Sequence, residues 1–157
     1  MAVEIRPITV AEYAAVREDI EDFWDSDRTV AMHQTMFLHE FGDSCLVAKE
    51  GAETIGYMVA FASQTSDAGY VHLVGVRKAW RGKGIARALY EHFGAWAKAR
   101  GCTSLKAITN PANEGSVAFH RALGFELTGE PIDGETYPMV RDFGGPGVHR
   151  IVFHKSL

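Results

Sequence analysis

Between Arg81 and Tyr90 the chain reads RGKGIARALY, with glycine at 82 and 84 and positive charge at Arg77, Lys78, Arg81, Lys83 and Arg87. Glycine lets a turn's backbone come close to a ligand, and the first amides of a helix that follows have no partners of their own. Such an end, ringed by cations, attracts phosphate. An apolar run, Val71 to Val76, precedes the turn, and Ile85, Ala88, Leu89, Phe93 and Trp96 form a helical stripe after it. The turn therefore joins a strand to a helix running from Gly84 to Arg100. An ordinary glycine turn dressed with solvated basic residues has the same composition. A second motif downstream separates the two readings.

The elements that must position these residues follow from periodicity. Val3 to Arg6 alternates and stops at Pro7, a first strand. Thr9 stands where a helix N-cap belongs, and Tyr13, Val16, Ile20 and Phe23 recur at helical spacing as far as Trp24. Asp25, Ser26 and Asp27 break this helix, and Thr29 to Phe41 reads as a second one closed by Gly42. Ser44 to Lys49 and Thr54 to Gln64 read as paired strands. In the latter, Ile55, Tyr57, Val59 and Phe61 alternate with Gly56, Met58, Ala60 and Ala62, and a face of small residues leaves room for a packed helix. Tyr70 to Val76 is the fourth strand. His92 falls on the apolar face of the long helix, as a core histidine would. Thr103 to Thr109 is a strand, Asn113 to Leu123 a helix and Phe125 to Thr128 another strand. A Pro/Gly-rich excursion from Gly129 to Gly147 leads to a last strand, Val148 to His154. This order predicts an α/β fold, a mixed sheet with helices on both faces.

With 157 residues the chain is expected to be a single domain, 1–157, that needs neither disulfides nor metal to bury a core. Cys45 and Cys102 show no CxxC or His/Cys spacing, so no metal site is expected and both thiols should be reduced. The net charge of -4 argues against a broad nucleic-acid surface, while a local basic site for a phosphate-bearing ligand stays compatible with it. No apolar run is long enough to cross a bilayer. The start, MAVEIRPITV, lacks the basic opening and apolar core of a signal peptide, so a cytoplasmic protein is expected.

Arg81, Gly84 and Ala86 satisfy RxxGxA, and NEGSVAFHRALGF follows from Asn113 to Phe125. With both on the elements they require, the sequence resembles the GNAT superfamily of N-acetyltransferases along nearly its whole length from Val3. The closing DFGGPGVHRIVF, Asp142 to Phe153, also resembles a subgroup of that family. The resemblance implies a largely antiparallel sheet splayed at the fourth strand. It also implies acetyl-CoA as co-substrate, its acetyl group passing directly to a primary amine of a small molecule or peptide. Backbone amides at Gly82, Lys83, Gly84, Ile85 and Ala86 would hold the pyrophosphate, with Arg81 and Lys83 adding charge. Free backbone groups at Val74, Gly75 and Val76 would pair with the pantetheine arm and polarise the thioester carbonyl. Gly75 suits a spot where another backbone or a ligand approaches closely; a simple bulge is the alternative.

On the helix Asn113 to Leu123, Phe119 and Leu123 mark the core side, and Asn113, Ser116, Val117 and His120 fall along an adjacent stripe. That stripe would face the coenzyme, and we count Asn113, Ser116 and Phe119 among the binding residues. Asn113 could cap its helix, bond the pantetheine amide, or both. His120 stands where family members commonly carry a tyrosine that protonates the departing thiolate. An imidazolium with pKa near ~6.5 could do the same and would fail at alkaline pH; otherwise His120 only bonds the sulfur or lines the pocket. The amine must be neutral to attack, and His72 and Tyr70, on one face of the fourth strand, are the candidates for helping it lose its proton. The family often places a glutamate in this region, and none occurs between Glu53 and Glu91. Asp142 and His149, flanking GGPG, could reach the same cleft or belong to a solvated loop. Phe23, Trp24 and His33, with Phe37, Asp25 and Asp27 nearby, would supply an aromatic, partly acidic wall for a cationic amine, or simply core. A coenzyme A binding module without turnover is the rival reading. A homodimer paired through the last strand is also possible.

Overall fold

The computed structural model describes residues 2–157. Two compact units emerge, the first running to Phe61 and again over His72–Trp96, the second comprising Ala62–Val71 and Ala97–Leu157. In chain order the elements of the first are β1 (Val3–Pro7), α1 (Val10–Glu18), α2 (Ile20–Trp24), α3 (Met36–Phe41), β2 (Leu46–Glu50), β3 (Glu53–Ala62), β4 (Ala68–Val76) and α4 (Ile85–Ala99). Those of the second are β5 (Ser104–Thr109), α5 (Glu114–Ala122), β6 (Glu126–Thr128) and β7 (Ile151–Ser156). Strand β4 and helix α4 each contribute residues to both. The strand order is β1-β2-β3-β4-β5-β7-β6, and β4 with β5 is the parallel pair in an otherwise antiparallel sheet. This is the mixed α/β fold that the order of elements predicts.

In the first unit α1 begins as Thr9 dictates. Its hydroxyl accepts from the Glu12 amide (3.2 Å) and its own amide donates to the Glu12 carboxylate (2.9 Å), a reciprocal cap. The helix stops at Asp19 and restarts as α2, so one long periodic stripe is in fact two short helices. Both still lay Tyr13, Val16, Ile20 and Phe23 on Val47, Tyr57, Val59 and Leu73. The second predicted helix is also broken. A 3-10 turn, Val30–Met32, precedes α3, and between them the chain carries the His33 ring into the core. On the other face of β3, a Cβ added to Gly56 would lie 2.9 Å from Ile85 Cγ2 and 3.5 Å from Leu89 Cδ1. Gly56 does make room for α4. His92 is exposed on that helix, a correction to the core assignment: the apolar stripe is narrower than the periodicity suggested.

In the second unit β5 pairs with β4 over Ala68–Val71 alone, ending at Val71↔Ala107, while β4 runs on to Val76. Register then sets two faces. Val71, Ala107 and Phe153 share the buried one, and Tyr70, Lys106 and His154 share the other. Helix α5 packs through Val117 and His120, which are 1% and 3% exposed, whereas Phe119 is half-buried. Leu123 is buried as read, but the core side of α5 is set by Val117 and His120 rather than by Phe119. The excursion after β6 is braced by bridges Glu130↔Met139 and Val140↔Arg150, and β7 starts only at Ile151.

Candidate functional site

At the turn between β4 and α4, Gly82 and Gly84 have φ of +74° and +82°, and a Cβ on either would meet no atom within 4 Å. The glycines are thus required by backbone conformation rather than by crowding. The first backbone bond of α4 is Ala88 N–H to the Gly84 carbonyl (3.0 Å), so the amides of Ile85, Ala86 and Arg87 precede the ladder. Unladdered amides beside an uncrowded glycine turn suit a phosphate group.

The cations around the turn are less free than the sequence implied. Arg81 donates to the carbonyls of Phe23 (2.8 Å) and Val76 (3.2 Å) and to the Asp25 carboxylate (3.1 Å). Lys78 also pairs with Asp25 (3.4 Å), and these two cations hold the Asp25 carboxyl below its usual range. Arg77 bridges Asp19 (2.9 Å) and Asp22 (3.0 Å) and covers the Phe23 ring at 4.7 Å. Lys83 lies 5.0 Å from the Trp80 ring centroid and has no carboxylate partner among the described residues. Of the two cations assigned to the pyrophosphate, only Lys83 is uncommitted.

Gly75 is a different glycine. A Cβ there would lie 2.7 Å from Tyr57 Cε1 and 3.2 Å from Trp24 Nε1. Trp24 and Tyr57 are thus the groups that approach it. Trp24 Nε1–H donates to the Tyr57 oxygen (2.5 Å), the Tyr57 hydroxyl donates to His33 Nε2, and His33 Nδ1–H donates to the Thr29 carbonyl (2.7 Å). The carbonyl can only accept, which fixes the tautomer and the direction of the chain. Burial pushes the His33 pKa down and the Tyr57 pKa up, so both stay neutral. His33 and Phe23 are 0% and 4% exposed. They are core and present no face to a ligand, which corrects their place in the acceptor wall: α1, α2 and the chain after Val30–Met32 close over them. Trp24 stays half-buried at the edge. Tyr57 was missed, because an alternating strand residue carries no signal of what its hydroxyl will meet.

Half-buried His72 stands against the Phe37 ring (5.2 Å between centroids), and desolvation lowers its pKa, so the ring is neutral at pH 7. In the second unit Tyr70 meets the exposed Phe143 ring at 6.4 Å. Burial pushes its phenol up to about 12 against the opposing charge of Arg150. His120 lies flat on Phe153, 4.2 Å between centroids and 8° between planes, edge-on to Phe119 and Phe125. Its Nδ1–H donates to the Ser116 carbonyl (2.8 Å), and desolvation brings its pKa down to about 4. At pH 7 this ring is neutral, with its one proton committed. Asn113 caps α5, its oxygen accepting from the Ser116 amide (3.0 Å). A cleft of about 780 Å³ lies beside it, between Asn110–Gly115 and Glu135–Tyr137. Asp142 and His149 bond each other: the Asp142 amide donates to His149 Nδ1 (3.0 Å), and the Asp142 carboxylate accepts from the Gly147 amide (2.8 Å). They close their own loop. Cys45 is buried, its thiol pushed up to about 11, which leaves no ready nucleophile there.

Among the described residues no helix is long and apolar enough to cross a membrane. The chain is 31% identical over 113 residues to an L-2,4-diaminobutyric acid acetyltransferase from Marinococcus halophilus, covering 68% of this chain and 66% of that protein. It spans about two-thirds or less of the curated relatives it matches first. The fold superposes on a structure titled a putative acetyltransferase of the GNAT family, from Desulfovibrio desulfuricans, with a TM-score of 0.78, 16% identity and 99% of each chain covered. It also superposes on PaiA N-acetyltransferase from Thermoplasma acidophilum in complex with coenzyme A, with a TM-score of 0.72, 14% identity and 100% of each chain covered. Residues 13–125 match the acetyltransferase (GNAT) family, and with the glycine turn and the strand order they show that the chain belongs to it.

Proposed function

We propose that this protein is an acetyl-CoA-dependent N-acetyltransferase that moves the acetyl group directly to a primary amine of a small molecule or peptide. The observation that carries the proposal is the left-handed turn at Gly82 and Gly84, with open space at both Cβ positions and the unladdered amides of Ile85 to Arg87 directly after it. Those amides fit a diphosphate, Lys83 adds charge, and Val74 to Val76 would line the thioester. The Thermoplasma acidophilum neighbour of the same fold was solved with coenzyme A. The Marinococcus halophilus relative is named for an amino acid with amines to acylate. Asn113, Ser116 and Phe119 are also proposed as coenzyme-binding residues.

Three residues are proposed for the proton transfers. His72, neutral at pH 7 because it is half-buried, is the base for the ammonium group. Tyr70 holds its proton to about pH 12, so it can orient the amine by hydrogen bonding but cannot take its proton. For His120 two roles compete, proton donor to the thiolate and wall of the thiol pocket. The neutral, Ser116-bonded ring favours the wall. A thiol leaves with a pKa near ~8.5, so water can protonate it and a dedicated acid adds little. The test is thiol release from acetyl-CoA against diamines, amino acids, aminoglycosides and short peptides, beside calorimetry with coenzyme A. Turnover with at least one amine is expected. Coenzyme binding with silence across the whole panel would favour the non-catalytic coenzyme module, and no binding at all would end both readings.

A further inference from the structure

Arg81 opens the glycine turn, yet its guanidinium is spent on α2. Two of its nitrogens hold the Phe23 carbonyl (2.8 Å) and the Asp25 carboxylate (3.1 Å), and the third holds the Val76 carbonyl at the end of β4 (3.2 Å). Asp25 closes α2 in the left-handed region, φ 60°, and also takes Lys78. A cation on the last carbonyls of a helix is favourable, and the planar fork can serve a carbonyl and a carboxylate together. Between its two anchors on α2 stands Trp24. The indole is pinned a second time by its own N–H on the Tyr57 oxygen, which His33 fixes from the core, and Gly75 leaves the space it occupies.

We infer that Arg81 is a positioning residue for Trp24, the edge residue of the aromatic wall expected to meet the acceptor amine: through Phe23 and Asp25 it sets the end of α2, and so the indole, against β4 at Gly75. It is not a phosphate ligand. The motif's first position thereby serves acceptor recognition without touching either substrate. The pocket's role rests on the acetyl-transfer reading; the pinning of the indole does not.

The experiment compares Arg81→Met, Arg81→Lys and Asp25→Asn with wild type by three readouts. These are the Trp24 indole N–H resonance, assigned with Trp24→Phe, the coenzyme A Kd by calorimetry, and acceptor KM against kcat. Arg81→Met should move the indole resonance and raise acceptor KM by about tenfold, with the coenzyme Kd held within about twofold. Asp25→Asn should do the same more weakly, and Arg81→Lys, which cannot span both anchors, should fall between. A tenfold weaker coenzyme with unmoved indole and KM would overturn the inference. So would tighter coenzyme binding in Asp25→Asn, because it would mean that a carboxylate had been competing with phosphate for Arg81. Should Arg81→Met not fold, the other two variants decide. If wild type neither binds coenzyme nor turns over, the functional reading fails, and an indole resonance unmoved by the Arg81 variants would separately sink the positioning claim.

Discussion

Single side chains carry two kinds of glycine requirement in this protein, and they predict different damage. Gly84 sits at φ +82° with open space where a Cβ would go, so Gly84→Ala should cost about 1–2 kcal/mol of backbone strain. If the strain relaxes the turn, coenzyme affinity falls with it; urea unfolding and calorimetry on the same variant measure both. A binding constant unchanged alongside lost stability would detach the turn from the coenzyme. His120 illustrates how burial overrides residue type. Its pKa is lowered from 6.5 to about 4, so between these values the unfolded chain binds the extra proton and the folded one does not. Stability should therefore rise with pH across that window and level off above it. His120→Phe, which keeps a ring against Phe153, should flatten this slope, and should leave thiol release above pH 7 without a new inflection. An alkaline loss of rate in wild type that His120→Phe abolishes would restore the acid role. The sequence showed that a histidine replaces the family's tyrosine here; it could not show that the histidine would be dry.

Among the elements, α1 was legible because its signals are local. Thr9 and Glu12 are three residues apart, and their reciprocal bonds need nothing from the rest of the chain. Glu12 is further drawn on by Arg6 (2.6 Å) and Lys49 (3.3 Å), which hold its carboxyl well down, to about 2. A depressed carboxylate stabilises above its unfolded value and loses that contribution as pH falls toward the folded one. Glu12→Gln should thus cost about 1 kcal/mol at pH 7 and progressively less below pH 4.5, read from urea midpoints at several pH values. Equal cost at pH 2.5 and pH 7 would remove the ionic part. The breaks at Asp19 and after Met32 were not legible, because the same helical period continues across them. Where α1 ends, Phe23 reaches the sheet and Asp19 and Asp22 reach Arg77, a residue far along the chain. The room that Gly56 leaves for α4 was legible, since an alternation of small and large residues states both its period and its purpose.

For the molecule as a whole, the coenzyme should act as a stabiliser in proportion to its binding. At a hundredfold excess over Kd it should add about 2.7 kcal/mol, a rise in Tm of roughly 5–10 °C for a chain of this size. The single-domain reading predicts that one cooperative transition moves; two transitions, of which one shifts, would divide the chain in function as well as in packing. The chemistry-bearing motifs, the helix caps and the order of strands and helices were written in the sequence. All of them rest on neighbours a few residues apart or on a period of two or of 3.6. Tertiary structure alone decided which charges stay free and which histidines stay neutral. Nothing in the sequence says that the Arg81 guanidinium bonds Phe23 and Asp25, or that the His120 ring lies flat on Phe153. A side chain's charge and partners depend on the solvent that packing removes, and that packing brings together residues the chain keeps far apart.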